Sequence, residues 1–151
     1  RKEGCRLFMA GFLAAAGLDR SLRLDRLIGD TGAQAAGLTN TVTAGGLAAL
    51  IGGLADGTLL GREDADAALA VLARQEHREM IPAGLPAGTW SASKGGWVQG
   101  VNHDVALVRA ASAPPYVLAV CTTHNLDPAA GTALVARLSA ITWEHWNRCH
   151  G

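Results

Sequence analysis

The residues best suited to chemistry form one short segment, in which a lysine is followed by two glycines and a tryptophan, Lys94-Gly95-Gly96-Trp97. The surrounding residue types predict a β-strand, so a strand delivers this charge. The glycines allow a second backbone or a ligand to approach closely. A lysine that only points to solvent from an edge strand is the simpler interpretation. The polar residues nearby favour a binding or catalytic site.

The second part of the candidate site is a set of polar residues around Lys94: Ser93 just before it, and Asn102 and His103 where the next predicted strand starts. His103 has two interpretations. An unperturbed pKa of about 6.5 suits a general base. A histidine followed by an acid, here Asp104, more often fixes a turn or a sheet edge through hydrogen bonds, and we favour this structural role.

Two other sets of side chains are candidates for a site. His145, Cys149 and His150 share the end of a helical pattern but lack a fourth ligand, so we predict no metal site. The four tryptophans are predicted to be packing residues, and one of them, Trp97, is also placed to wall a cleft beside Lys94.

The elements that position the segment are predicted to be helical first and extended later. Apolar spacing predicts a helix over 3–16, and its loss over 18–40 predicts a long surface loop. Thr43 can cap a second helix, and residues 62–77 predict a third. Three strands and a final helix then follow: Thr89 to Ser93, Val101 to Arg109, Tyr116 to Thr122, and a helix over 127–148 that starts at Asp127-Pro128.

This order predicts the α+β class, with an antiparallel sheet covered by helices: residues 1–80 mainly helical, and a three-stranded segment over 87–123. A hydrophobic content of 49% over 151 residues suffices for a core. Thirteen basic and thirteen acidic residues give no net charge, which argues against a nucleic-acid partner. The uncharged stretch around 45–55 is too short and glycine-rich to span a membrane. Three cysteines predict no disulfide framework.

The lysine segment resembles the penicillin-recognising serine hydrolases, in their class A β-lactamase-like branch. Lys94-Gly95-Gly96 is similar to the family's Lys-Thr/Ser-Gly triplet, with glycine in the hydroxyl position. The resemblance extends over nearly the whole chain, although only the strand cluster is specific. The other similar segments are the family's next strand at 102–106, the start of its omega-shaped loop at 22–26, its threonine-rich helix start at 39–44, and its approach to the lysine strand at 83–88.

The resemblance implies a β-lactamase/transpeptidase-like fold, with residues 1–151 as the distal part of one domain. It implies a serine hydrolase or acyltransferase that acts on an ester or amide through an acyl-serine, without cofactor or metal. Lys94 would place a positive charge beside the nucleophile and the substrate carboxylate, and the Trp97 N–H would form half of an oxyanion hole. The implied substrate contacts are Ser93, Gly95, Gly96, Asn102 and His103; among them Ser93, Asn102 and His103 would compensate for the missing hydroxyl.

The family's Ser-x-x-Lys nucleophile motif and its Ser-x-Asn motif normally lie upstream of the matched part. Residues 91–94, Ser-Ala-Ser-Lys, satisfy Ser-x-x-Lys only as a string, because the context is a strand. The chain starts inside a helical pattern without an initiator methionine, so we expect it to lack the family's N-terminal portion. The nucleophile would then lie on a preceding segment or a second chain, or be absent.

The deacylating glutamate of class A enzymes is the other departure. Aligning Leu24-Asp25-Arg26 with the loop start puts Ile28 at that position, so we expect weak or no β-lactam turnover. A non-catalytic binding or dimerisation module stays open as the alternative. Expected partners are a small-molecule or peptide acyl substrate and either a second chain carrying the N-terminal half or a homodimer partner. Family analogy implies a secreted or cell-envelope location, and the sequence leaves a cytoplasmic one open.

Overall fold

The computed structural model describes residues 2–151, and its elements follow the predicted order of helices, three strands and a covering helix. The chain divides into two compact units, one ending at Leu50 and the other formed by Ile51–Gly151. The elements are α1 (Lys2–Ala15), β1 (Leu22–Arg23), α2 (Thr31–Ala35), β2 (Thr41–Val42), α3 (Ala44–Asp56), α4 (Arg62–Ala73), a 3₁₀ helix (Ile81–Gly84), β3 (Trp90–Val98), β4 (Val101–Arg109), β5 (Tyr116–Thr123) and α5 (Pro128–His150).

In the first unit, α1 and the start of α3 agree with the sequence predictions. The hydroxyl of Thr43 accepts a hydrogen bond from the Gly46 N–H at 3.0 Å, so the predicted cap is confirmed. The predicted loop over 18–40 is largely irregular, but it contains β1 and α2. β1 pairs antiparallel with β2, with Leu22 opposite Val42. Pairs this short carry too weak a periodicity to be read from sequence.

In the second unit, β3, β4 and β5 form an antiparallel sheet in sequential order. The bounds of β4 are those predicted. β3 runs to Val98, beyond the predicted end at Ser93. Lys94 therefore lies on a strand, as predicted, and both glycines lie inside it. Glycines lower strand propensity, but pairing along the whole of β4 outweighs that local preference.

One face of this sheet carries the core, where α5 and the 3₁₀ helix pack. Asp127 caps α5 as predicted, by accepting a hydrogen bond from the Ala130 N–H at 2.9 Å. A Cβ atom on Gly84 would lie 2.1 Å from the Ala136 oxygen, so only glycine permits this approach of the 3₁₀ helix to α5. The core cluster consists of Met80, Ile81, Ala106, Val108, Tyr116, Val120 and Val135.

The tryptophans behave largely as predicted. Trp143 and Trp146 pack against the core cluster. The ring of Trp90 lies under the guanidinium of Arg109 at 4.2 Å. Trp97 instead keeps 53% of its surface exposed. No helix within residues 2–151 combines the length and apolarity needed to cross a bilayer.

Candidate functional site

The strand register sorts the predicted site residues onto two faces of the sheet. Gly96 lies opposite His103, so these two residues share a face with Lys94. The other face is the core face. It carries the Ser93 side chain, the Cα of Gly95, and the side chains of Trp97 and Asn102, with Trp97 opposite Asn102.

The backbone of β3 presents unpaired groups along its outer edge. Within residues 2–151 β3 pairs only with β4. The Asn102 N–H donates to the Thr122 hydroxyl at 3.1 Å, and that hydroxyl donates to the Asn102 oxygen at 2.6 Å, so the backbone of Asn102 faces β5. The opposing residue, Trp97, is therefore in a non-hydrogen-bonded pair and directs its N–H away from β4. The same alternation directs the Gly95 backbone to this free edge.

Lys94 is exposed beside that edge. Its ammonium group donates a hydrogen bond to the Gly95 oxygen, which agrees with the outward direction of the Gly95 backbone. The free edge therefore combines a positive charge with the outward N–H of Trp97. Both features can stabilise negative charge on a carbonyl oxygen bound there.

Asp104 is a titratable neighbour of this edge that sequence reasoning treated only as a partner of His103. Its side chain is 3% exposed, and its Oδ2 accepts a hydrogen bond from the Ile81 N–H at 2.9 Å. Its Oδ1 has no hydrogen-bond partner. Burial raises the pKa of Asp104 to about 6, and this outweighs the lowering by the Ile81 and Val105 N–H groups and by the charge of Lys94.

Gly95 lies directly over Asp104 and Met80. A Cβ atom there would be 2.6 Å from the Met80 methyl group and 3.7 Å from Asp104 Oδ1. The methionine methyl therefore occupies the space into which a larger residue would project. The thioether of Met80 thus fills the space that a hydroxyl-bearing side chain at position 95 would need.

Ser93 and Gly96 differ sharply in access. Ser93 is 1% exposed and its hydroxyl has no hydrogen-bond partner. Its contact with substrate stays a prediction, and the observed burial argues against it. Gly96 is exposed, and a Cβ atom there would meet nothing within 4 Å, so the backbone at Gly96 is open to a ligand.

Asn102 and His103 are both engaged in hydrogen bonds. His103 Nδ1 accepts from the Thr122 N–H at 3.2 Å, as expected for a structural role. Asn102 Oδ1 lies 2.8 Å from His124 Nε2, and its amide donates to the Thr132 hydroxyl at 3.4 Å. His124 was missed because only the tertiary fold brings it to Asn102.

Trp97 lines a cleft of about 840 Å³ at the hairpin end of the sheet, which we call the Trp97 cleft. Its walls come from the β3–β4 hairpin, the start of α5 and the segment before the 3₁₀ helix. The ring of Trp97 contacts His77 edge-on, with 5.0 Å between ring centroids. The lining residues are His77, Glu79, Met80, Trp97, Val98, Gln99, Gly100, Asn102, His124, Asn125, Leu126, Asp127, Pro128, Ala129 and Thr132.

His145, Cys149 and His150, the residues considered as metal ligands, do not form a group that could hold a metal ion. Cys149 Sγ lies 3.7 Å from His145 Nε2 at the end of α5. Across residues 2–151, no three His, Cys, Asp or Glu side chains are grouped to hold a metal ion. The three cysteines are free.

Ile28 belongs to the first unit, where it is 95% exposed at a loop tip. The Arg26 N–H donates to Asn40 Oδ1 at 3.0 Å, and Arg6 donates to the Leu24 oxygen at 2.8 Å, so the preceding backbone is held in place. Asp30 caps α2 through the Ala33 N–H at 2.9 Å. The nearest carboxylate along the chain is therefore already engaged.

Comparison with known proteins gives a consistent family assignment. A family model described as the beta-lactamase enzyme family matches residues 9–146. A beta-lactamase from Streptomyces lavendulae is 34% identical over 127 residues, which cover 82% of this chain and 42% of that protein. The chain thus spans less than half the length of this relative.

Solved structures show the same fold. A variant of the last common ancestor of Gram-negative bacteria beta-lactamase class A matches 93% of this chain and 54% of its own, with a TM-score of 0.79 and 28% identity. The structure of PBP-A covers 87% of this chain, and the match spans 48% of PBP-A, with a TM-score of 0.73 and 26% identity. An acyl-enzyme complex of a PBP-A mutant with penicillin G covers 73% of this chain, and the match spans 42% of that chain, with a TM-score of 0.66 and 28% identity.

Proposed function

Because this chain belongs to the beta-lactamase enzyme family, we propose that it is the distal part of a serine hydrolase or acyltransferase. The enzyme acts on an ester or amide through an acyl-serine intermediate. The family places the chain in a serine-hydrolase-type superfamily. The reaction and the residue roles are our proposal.

The observation that carries the proposal is the free edge of β3. The outward N–H of Trp97 lies on the same edge as the ammonium of Lys94. Such donors act on the negative charge that develops on the carbonyl oxygen in the transition state, and each is worth about 3 kcal/mol. Gly96 leaves the intervening backbone accessible to the substrate.

The nucleophile is supplied by sequence outside this chain. The serines closest in sequence to Lys94 are Ser91 and Ser93, which are 3% and 1% exposed. Neither reaches solvent, and both lie on a strand rather than at a helix start. The matched relatives and structures are about twice as long as this chain, which leaves ample sequence for a Ser-x-x-Lys helix.

Turnover of β-lactams is weak or absent in this proposal. The aliphatic side chain of Ile28 cannot accept a proton from water. The acyl-enzyme complex of the PBP-A mutant with penicillin G shows that this fold can hold an acyl intermediate. The acyl group would therefore form here and leave slowly, or pass to another acceptor.

Activity-based labelling tests the proposal. The native protein is treated with a fluorophosphonate or a fluorescent penicillin, digested, and mapped by mass spectrometry. We expect one labelled serine outside residues 1–151. Labelling of Ser91 or Ser93, or of no serine in an intact full-length polypeptide, would overturn it.

A non-catalytic binding or dimerisation module is the second candidate. Leu134, Leu138 and Ile141 form an exposed apolar stripe on α5, with 37%, 38% and 53% of their surfaces exposed. Such a stripe favours a partner surface. An apparent mass that increases with protein concentration, together with failure to label, would favour this candidate.

A further inference from the structure

The Trp97 cleft has the size and lining of a small-molecule site. Its volume of about 840 Å³ falls in the range typical of ligand pockets. Trp97 and Val98 keep 53% and 69% of their surfaces exposed toward solvent. Met80, Leu126 and Pro128 add to the apolar wall. The cleft can therefore shield the apolar part of a ligand from water.

Two polar side chains of the cleft, Asn102 and His124, are paired with each other. His124 Nδ1 accepts from the Leu126 N–H at 3.3 Å, so the ring proton is on Nε2 and is donated to Asn102 Oδ1. The Asn102 amide donates to the hydroxyl of Thr132 at 3.4 Å. These donors are not free to bind a carboxylate.

The charged groups of the cleft are acidic. Its lining contains Glu79 and Asp127 but, in the described part of the chain, neither lysine nor arginine. Asp127 caps α5, and the positive end of that helix offsets its charge. The Glu79 side chain is 65% exposed and lies 3.9 Å from His77. Glu79 therefore contributes a negative charge to the cleft.

We propose that the Trp97 cleft binds an apolar group that bears an ammonium, and that it disfavours carboxylates. The inference rests on the proposed function. A substrate carbonyl bound at the Trp97 N–H would place the rest of the substrate beside the Trp97 ring, which lines the cleft. The face of an indole ring and a carboxylate both attract cations.

Three probes that share a phenyl ring test this charge preference: 2-phenylethylammonium, 2-phenylethanol and 3-phenylpropionate. Each is titrated into the protein at about pH 8, where free histidines are neutral, with two-dimensional NMR of the amide and indole N–H groups. We expect the ammonium to bind about fivefold more tightly than the carboxylate. The largest shifts should fall on Trp97, Leu126 and Thr132.

Two variants make the test specific. Glu79→Gln should reduce the ammonium-to-carboxylate ratio to about one, whereas Glu144→Gln, an exposed change on α5 outside the cleft, should preserve it. Trp97→Ala should weaken all three probes, with unchanged thermal unfolding as evidence of an intact fold.

Three results would overturn the inference: no shifts at cleft residues, tighter or equal binding of the carboxylate, or a charge preference that Glu79→Gln leaves unchanged. Serine labelling of the native protein is an independent readout. If labelling succeeds while the probes fail, the proposed function stands and the assignment of the cleft is wrong.

Discussion

The strand around Lys94 and the loop around Ile28 make different contributions to the chemistry implied by the family. At the strand, a charged side chain and an outward N–H from Trp97 remain together on a free edge. At the loop, the backbone is held by Asn40, but an exposed aliphatic side chain stands where the family's base would be. In the proposed function, the strand supplies groups that assist formation of an acyl-enzyme, whereas the loop supplies no base for its hydrolysis. Formation and breakdown of the intermediate can therefore be tested separately.

The largest expected effect concerns Lys94. Lys94→Ala should reduce the rate of labelling of the native protein by about 10³-fold, because an adjacent positive charge is lost from the transition state. The exposed side chain makes no packing contribution to the core, so the free energy of unfolding should change little. Labelling rates and thermal unfolding are measured together. Arg137→Ala, which removes an exposed charge on α5, is the matched control, and loss of fold in Lys94→Ala would refute the catalytic role.

The second effect separates the backbone of Trp97 from its side chain. Trp97→Pro removes the outward N–H and should slow labelling by about 10²-fold, since proline lacks that donor. An edge strand tolerates proline where its N–H is outside the ladder. Trp97→Ala keeps the donor and should label at a rate close to that of the parent. Labelling rates are measured over time for both variants. Equal losses of rate would show that the backbone N–H of Trp97 does not assist the reaction.

The third effect concerns Asp104 and the pH dependence of stability. Its pKa of about 6 in the folded chain lies above the unfolded value of about 4, so the folded state binds the proton more tightly. The contribution of Asp104 to the free energy of unfolding should therefore fall as the pH rises from about 4 to about 6, by up to about 3 kcal/mol.

Asp104→Asn tests this, since the amide oxygen can still accept from the Ile81 N–H. Urea unfolding is measured at a series of pH values. Between about pH 4 and about pH 6, the free energy of unfolding should fall less in the variant than in the parent chain. Parallel pH profiles for the two proteins would show that Asp104 does not titrate in this range.

The strands illustrate what sequence can and cannot predict. Residue types that favour strands were enough to predict β4, and capping chemistry was enough for Thr43 and Asp127. The sequence placed Lys94 on a strand, but the continuation of β3 through both glycines to Val98 depends on pairing with β4, which propensity does not predict.

The site shows the same limit. The sequence pointed to Lys94 because a lysine followed by two glycines is unusual for a strand, and to Trp97 because it follows that segment. It did not show that Met80 fills the space over Gly95 or that His124 binds Asn102. These contacts join segments that are distant in sequence, and no local pattern encodes them.

The smallest expected effect concerns the loop. Ile28→Glu should shorten the lifetime of the acyl-enzyme about tenfold, because a carboxylate can accept a proton from water. In the control Ile28→Gln, the new side chain has the size of glutamate but is not basic, so the lifetime should stay unchanged. The release of the fluorescent penicilloyl group over time gives both rates. Equal lifetimes in the two variants would show that the loop does not take part in deacylation.

Intact-mass analysis of the native protein, with and without a fluorophosphonate probe, tests the central claim most directly. A longer polypeptide, or a tightly associated partner chain, that gains the mass of one probe is the predicted result. An isolated 15.5 kDa species that gains no mass would contradict it, and would mean that this chain acts by binding alone.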